Sequence, residues 1–296
     1  MDLKQRLPWW FKMGAKIALS RIPLPYGFWR SLGLFKHGDM AHPDRALDAF
    51  RTHFERAVAV RPVAPGFVCL ELGPGDSLLS GIIARAFGAA RSYLVDGGNY
   101  AVRDTRPYVA LVKLLREAGY DVPPVDRCNS LEEILALYQV TYLTNGVRSL
   151  AEISDGGVDY SWSQVVLEHV ARGELQAMLR ELRRVTRDEG VGSHSIDLRD
   201  HLGGGLNSLR FSERFWESSL IHRSGFYTNR LRFPELRRMF EQAGFRLAHV
   251  RTVAWPAPPI SRERLAEPYR RMLDENVEAL RVAEFEVVLV PDIPHA

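Results

Sequence analysis

Two short stretches hold the residue types and spacings that can do chemistry. The first is Val68-Cys-Leu-Glu-Leu-Gly-Pro-Gly-Asp-Ser77, an apolar run ending in Gly73-Pro74-Gly75. A buried strand running into such a turn brings backbone close to a ligand, because glycine has no Cβ and accepts positive φ. The third glycine of the dinucleotide fingerprint is missing, since Leu78 stands where it belongs. Glu71, two residues before the first glycine, places an acid at the strand end and suits a ligand bearing a cation or hydroxyls better than a pyrophosphate. Asp96 closes a second apolar run, Tyr93-Leu-Val, about 20 residues beyond the glycines, the spacing at which an acid accepts from ribose hydroxyls.

The second stretch is His194-Ser-Ile-Asp-Leu-Arg-Asp-His201. Histidine is the natural base for a hydroxyl or ammonium nucleophile near neutral pH, and a carboxylate can orient it. His201 is therefore one candidate base, with Asp197 beside it. His169, in Val165-Val-Leu-Glu-His-Val170, is another, facing either a reacting group or only local backbone. A metal reading of Asp197, Asp200 and His201 has no distinctive spacing, and no metal is expected.

These residues need elements to hold them. Strand and helix patterns alternate from Phe67 onward, which implies parallel β-α-β units in a doubly wound sheet. Strands are expected at Phe67–Leu72, Ser92–Val95, Gln139–Leu143, Val158–Trp162, Val191–Ile196, Phe245–Val253 and Phe285–Val290. Helices are expected at Leu78–Phe87, Tyr108–Gly119, Leu167–Arg187, Pro234–Ala243 and near Arg262–Val282. Residues 1–65 read as a helical cap and 66–296 as the main domain. An insertion at about 198–233, read as a structureless loop, mixes Arg210, Arg214, Arg223, Arg230 and Arg232 with aromatic residues. A loop of that length points to a substrate lid, and its arginines to an anionic or sugar-bearing substrate.

Glu71-Leu-Gly-Pro-Gly75, Leu94-Val-Asp96 and Val165-Val-Leu-Glu-His-Val170 together resemble the class I S-adenosylmethionine-dependent methyltransferases. The resemblance spans roughly Phe67–Pro291. It implies a Rossmann-like, mostly parallel seven-stranded sheet with an antiparallel C-terminal strand, and S-adenosyl-L-methionine as cofactor. It also implies that Glu71, Gly73, Pro74, Gly75, Asp96, Gly97, Asn145 and Ser163 line the cofactor, with Asp96 on the ribose and Asn145 near the adenine. A Cβ at Gly73 is then expected to fill space the ligand needs. The expected acceptor is an oxygen or nitrogen on a small molecule or glycan intermediate. A nicotinamide-dependent oxidoreductase shares the glycine turn and Asp96, and a non-catalytic cofactor-binding scaffold is the non-enzyme alternative.

Composition narrows the partners. The formal net charge of +3, with 46% hydrophobic and 25% charged residues, is that of an ordinary globular protein and gives no basic patch for nucleic acid. Two cysteines, Cys69 and Cys128, form neither a disulfide framework nor a zinc spacing, so a reducing, cytoplasmic setting is expected. Residues 7–22 repeat Trp9, Met13 and Ile17 on one helical face and Lys12 and Lys16 on another. Such a helix either packs on the core or the site mouth, or lies on an anionic membrane surface.

Overall fold

The computed structural model describes residues 8–22 and 40–293; Leu7 and residues 23–39 of the expected 1–65 cap lie outside them. Helices, in chain order, are α1 (Trp9–Leu19), α2 (Pro43–Val58), α3 (Leu79–Ala86), α4 (Arg106–Glu117), α5 (Leu131–Leu137), α6 (Arg172–Val185), α7 (Glu213–Trp216), α8 (Ser219–His222), α9 (Phe233–Gln242), α10 (Tyr269–Glu275) and α11 (Val277–Arg281). Strands are β1 (Val68–Leu72), β2 (Arg91–Val95), β3 (Val140–Leu143), β4 (Val158–Gln164), β5 (Thr186–Asp197), β6 (Phe245–Ala254) and β7 (Val282–Pro291).

The seven strands form one sheet in the order β3-β2-β1-β4-β5-β7-β6. The pairs β1–β2, β2–β3, β1–β4 and β4–β5 are parallel, and β7 runs antiparallel to both β5 and β6. This is the expected Rossmann-like sheet. The strand order reverses between β1 and β4, the place where ligands sit in doubly wound folds.

Alternation along each strand feeds two cores. Cys69, Tyr160 and Trp162 point to one face and pack under α2, α3 and α4 through Phe50, Ile82 and Leu111. Leu70, Leu72 and Ile196 point to the other, against Leu179 of α6 and Phe240 of α9. Covering both faces is what lets the parallel strands be apolar throughout.

Two helical expectations are corrected, and one helix is added. The run Leu167–Arg187 becomes helix only at Arg172, because Leu167 and Glu168 turn into the core, and strand β5 already starts at Thr186. The run Arg262–Val282 breaks into a short 3-10 turn, α10 and α11, with Asn276 extended between the last two. Helix α5 escaped the pattern reading, although Ser130 caps it by accepting from the Glu133 amide while the Glu133 carboxylate accepts from the Asn129 amide.

The insertion at 198–233 is not structureless. It carries a 3-10 turn (Asn207–Arg210), α7 and α8, and buries side chains on two sides. Leu202, Trp216, Ile221 and Phe226 pack with Met13 of α1. Leu206 and Leu209 pack with Ile260, Leu265, Tyr269 and Leu280. The apolar face of α1 therefore packs on the insertion. Among the described residues, no helix is long and apolar enough to cross a membrane.

Candidate functional site

The turn after β1 is knitted to the ends of the next two strands. Gly73 and Gly75 take φ of 70° and 66°, in the region that favours glycine. The Gly73 amide donates to the Val95 carbonyl at 2.8 Å. The Gly75 amide donates to Asp96 Oδ2 at 2.8 Å, and the Gly97 amide to Asp96 Oδ1 at 2.7 Å. The Gly146 amide, just past Asn145, donates to the Asp96 carbonyl at 2.8 Å. Asp96 thus fixes three loops at one sheet edge. Its carboxylate is half-buried. Pro74 is buried between the glycines, whereas Gly97 and Asn145 are exposed beside Asp96.

The two glycines' neighbours separate packing from ligand space. A Cβ on Gly73 would lie 2.5 Å from Val166 Cγ2, so the missing side chain there makes room for β4's own continuation. To the expectation that a Cβ at Gly73 fills space the ligand needs, the structure adds that it would also strike Val166. A Cβ on Gly97 would meet nothing within 4 Å. Open space beside the acid is what a bound group needs.

Glu71 sits under this turn, buried and accepting from the Ser80 hydroxyl. Burial, reinforced by the charge of Asp96, pushes its carboxyl up to about 8 despite that bond. At neutral pH it stays protonated until a cation approaches.

At the end of β4 the backbone is strained. Val165 takes φ of 56°, unusual for a β-branched residue, while its amide donates to the Ser195 carbonyl at 2.9 Å. Ser163 is fully buried, with its hydroxyl 2.8 Å from His194 Nδ1. It lies in the sheet floor rather than on an open wall.

His169 and His201 meet. Their Nε2 atoms are 3.2 Å apart and the rings stack. His169 Nδ1 lies 2.9 Å from the Tyr227 carbonyl, which can only accept, so Nδ1 carries the hydrogen. Neutral His169 then offers Nε2 as an acceptor, and His201 must donate from its own Nε2. The lone pair of His201 is left on Nδ1. Burial, then the nearby His169 and Lys16, push the His201 imidazole down to about 4.

Asp197 does not orient His201. Its carboxylate is taken by Arg199 two residues on, with Nε–Oδ1 and Nη2–Oδ2 both 2.9 Å. A permanent cation in fork geometry outcompetes a weakly basic imidazole. Both Asp200 oxygens accept from backbone amides, of Leu202 and Asn207. Among the described residues no three histidine, cysteine or acidic side chains converge as metal ligands.

Sequence reasoning missed three groups. His53 reaches from α2 to the β4–β5 ends, with Nε2 2.7 Å from Gln164 Oε1 and Nδ1 2.9 Å from Ser193 Oγ; burial pushes it down to about 4. Glu168 is buried, accepts from the Asp197 amide at 3.0 Å, and is pushed up to about 8 by burial. Its other oxygen, Oε2, has no partner. Lys16 of α1 lies near His201. The Glu168 position was visible inside the Leu-Glu-His-Val segment; nothing local marked His53, and Lys16 stood out only on the polar face of residues 7–22, not as a neighbour of His201.

No family model matches the chain, and no curated protein matches it. Solved structures do. An S-adenosylmethionine-dependent methyltransferase from Mesorhizobium loti is 14% identical, with 80% of this chain and 96% of that one covered and a TM-score of 0.43. Haemonchus contortus phosphoethanolamine N-methyltransferase 2, with phosphomonomethylethanolamine and S-adenosylhomocysteine, is 15% identical over 83% of this chain and 53% of its own, with a TM-score of 0.45. A methyltransferase from Archaeoglobus fulgidus is 12% identical over 83% and 93%, with a TM-score of 0.40. The fold itself is given by the strand order and register.

Two surface hollows flank the sheet, the second of them bordering the glycine turn at Leu78 and the Asp96 loop at Asn99. One, lined by Val68, Arg91, Gln139 and Gly157, is at the opposite, amino-terminal ends of the strands. The other flanks β3 through Ala101, Leu131, Leu135 and Tyr142.

Proposed function

We propose that the protein transfers a methyl group from S-adenosyl-L-methionine to an oxygen or nitrogen of a small molecule or glycan intermediate that carries negative charge. The observation that carries this reading is the Asp96 knot. A half-buried carboxylate at the end of β2 holds the glycine turn by one oxygen, with open space beside it at Gly97. That arrangement suits a ribose bearing two hydroxyls.

The cofactor supplies an electrophilic methyl on a sulfonium centre. Gly73, Pro74 and Gly75 present backbone to it, Asp96 accepts from its ribose, and Gly97 and Asn145 border its base. Glu71 offers negative charge to the cationic end, and Ser163 supports the floor through His194. On the acceptor side, His201 takes the proton at Nδ1, with His169 fixing the tautomer. The insertion at 198–233, capped by α1, forms the lid that aligns the acceptor.

Trp10 and Phe11, 61% and 48% exposed beside Lys12, offer α1 a contact with an anionic membrane surface. Wild type should then co-sediment with phosphatidylglycerol vesicles at low salt and Trp10→Ser/Phe11→Ser should not; equal behaviour rejects that contact. The unpaired Cys69 and Cys128 support a reducing, cytoplasmic setting.

The test of the reaction is transfer of tritium from methyl-labelled cofactor into an acceptor fraction of a cell extract. Label in the acceptor is expected. An NADH absorbance change without label transfer would favour the oxidoreductase reading instead.

A further inference from the structure

Helix α1 does more than cover the insertion. Its apolar face is seated by Met13 in the cluster of Trp216 and Phe226, and by Trp9 edge-on to Phe211 at 6.0 Å. This seating turns Lys16 inward. Its Nζ lies 6.0 Å from the centroid of the Phe226 ring, which is itself buried, and away from the exposed Trp10 and Phe11.

The charges around Lys16 are unbalanced. Among the described residues no carboxylate lies within ion-pair distance of it. The acids around His201 are already committed, Asp197 to Arg199 and Asp200 to backbone amides. The charge that acts on Lys16 itself is that of Lys12, of the same sign. Lys16 is half-buried over an aromatic floor, near His201.

We propose that Lys16 is the specificity residue of the acceptor site, binding an oxyanion (phosphate or carboxylate) on the acceptor so that its nucleophile lies against His201. This rests on the methyl-transfer reading for the role of His201, but the oxyanion site stands on its own geometry. Two properties agree with it. Burial and the charge of Lys12 push the Lys16 ammonium down, a cost that a bound anion removes. Lys16 is also among the charges that press His201 down, so an anion on Lys16 raises His201 toward the range where a base works best at neutral pH.

The experiment uses the full chain with phenyl phosphate, phenylacetate and the uncharged benzyl alcohol as probes, followed by calorimetry and by NMR titration of the His201 ring. Wild type is expected to bind at least one of the two anions at millimolar concentration or tighter, and benzyl alcohol at least tenfold more weakly. Lys16→Met should lose at least tenfold in anion affinity, Lys16→Arg should restore it, and both should melt as wild type does. The His201 titration should move to higher pH with bound anion, and also in Lys16→Met without it. Equal anion binding by wild type and Lys16→Met, or no anion binding by wild type, overturns the proposal. S-adenosylhomocysteine in parallel separates the two readings. Adenosyl binding without anion binding sinks the Lys16 site alone, whereas Lys16-dependent anion binding without adenosyl binding keeps the site and sinks methyl transfer.

Discussion

His201 Nε2 lies 3.2 Å from His169 Nε2, and His169 is held in turn by the Tyr227 carbonyl. The direction of hydrogen donation along this chain is fixed by its carbonyl end. Under the proposed methyl transfer, His201 is the residue that would meet the proton at Nδ1, with His169 positioning it.

His201→Ala should keep affinity for S-adenosylhomocysteine and lose methyl transfer by roughly 10²–10⁴-fold, the range for removing a general base. The acid limb of the free enzyme's rate profile should fall near pH 4 rather than at histidine's ordinary 6.5, because burial and His169 oppose the charge. His169→Gln should lower the rate and move that limb upward, since one opposing charge is gone. A wild-type limb at 6.5, unchanged in His201→Ala, would exclude His201.

Gly97→Val should leave stability within about 0.5 kcal/mol of wild type, because its side chain projects into open space. It should nevertheless weaken S-adenosylhomocysteine at least tenfold. Gly73→Val is the contrast. With φ of 70° and Val166 in the way, it should cost about 1–3 kcal/mol of stability as well. Thermal melts and calorimetry on both variants decide the matter, and normal binding by Gly97→Val removes that residue from the site.

Stability should peak near pH 6.5. His53, His194 and His201 sit at about 4, 3 and 4 in the fold against 6.5 unfolded, and Glu71 and Glu168 at about 8 against 4.5. Between pH 4.5 and 6.5 the unfolded chain holds the three histidine protons while the native chain holds the two carboxyl protons. The unfolded state carries about one proton more, so stability rises with pH there. Between 6.5 and 8 only the native state holds protons, on the two carboxyls, so stability falls. Urea melts at pH 5.5, 6.5 and 8 should show the maximum in the middle, and Glu168→Gln should flatten the alkaline side. Stability still climbing from 6.5 to 8 contradicts this.

Legibility in the sequence followed how local each signal was. The sheet could be read because apolar runs ending in Gly73, Asp96 and the Leu-Glu-His segment repeat within short windows. Glu71, the glycines and Asp96 could be placed together because only one helix and one strand, α3 and β2, separate the turn from Asp96. His201 and His169 were both visible, but not their contact, since they stand 32 positions apart. Asp197 misled because its partner, Arg199, lay too close to be weighed against a histidine. His53 is 140 residues from Ser193, and only the fold brings them together.

The central claim is that Asp96 holds an adenosyl ligand at the glycine turn, and calorimetry with S-adenosylhomocysteine tests it most directly. Wild type should bind. Asp96→Ala should lose about 1.5–3 kcal/mol of binding free energy, the worth of a charged hydrogen bond, while a thermal melt shows that it still folds. No binding by wild type, or equal affinity in folded Asp96→Ala, would contradict the account.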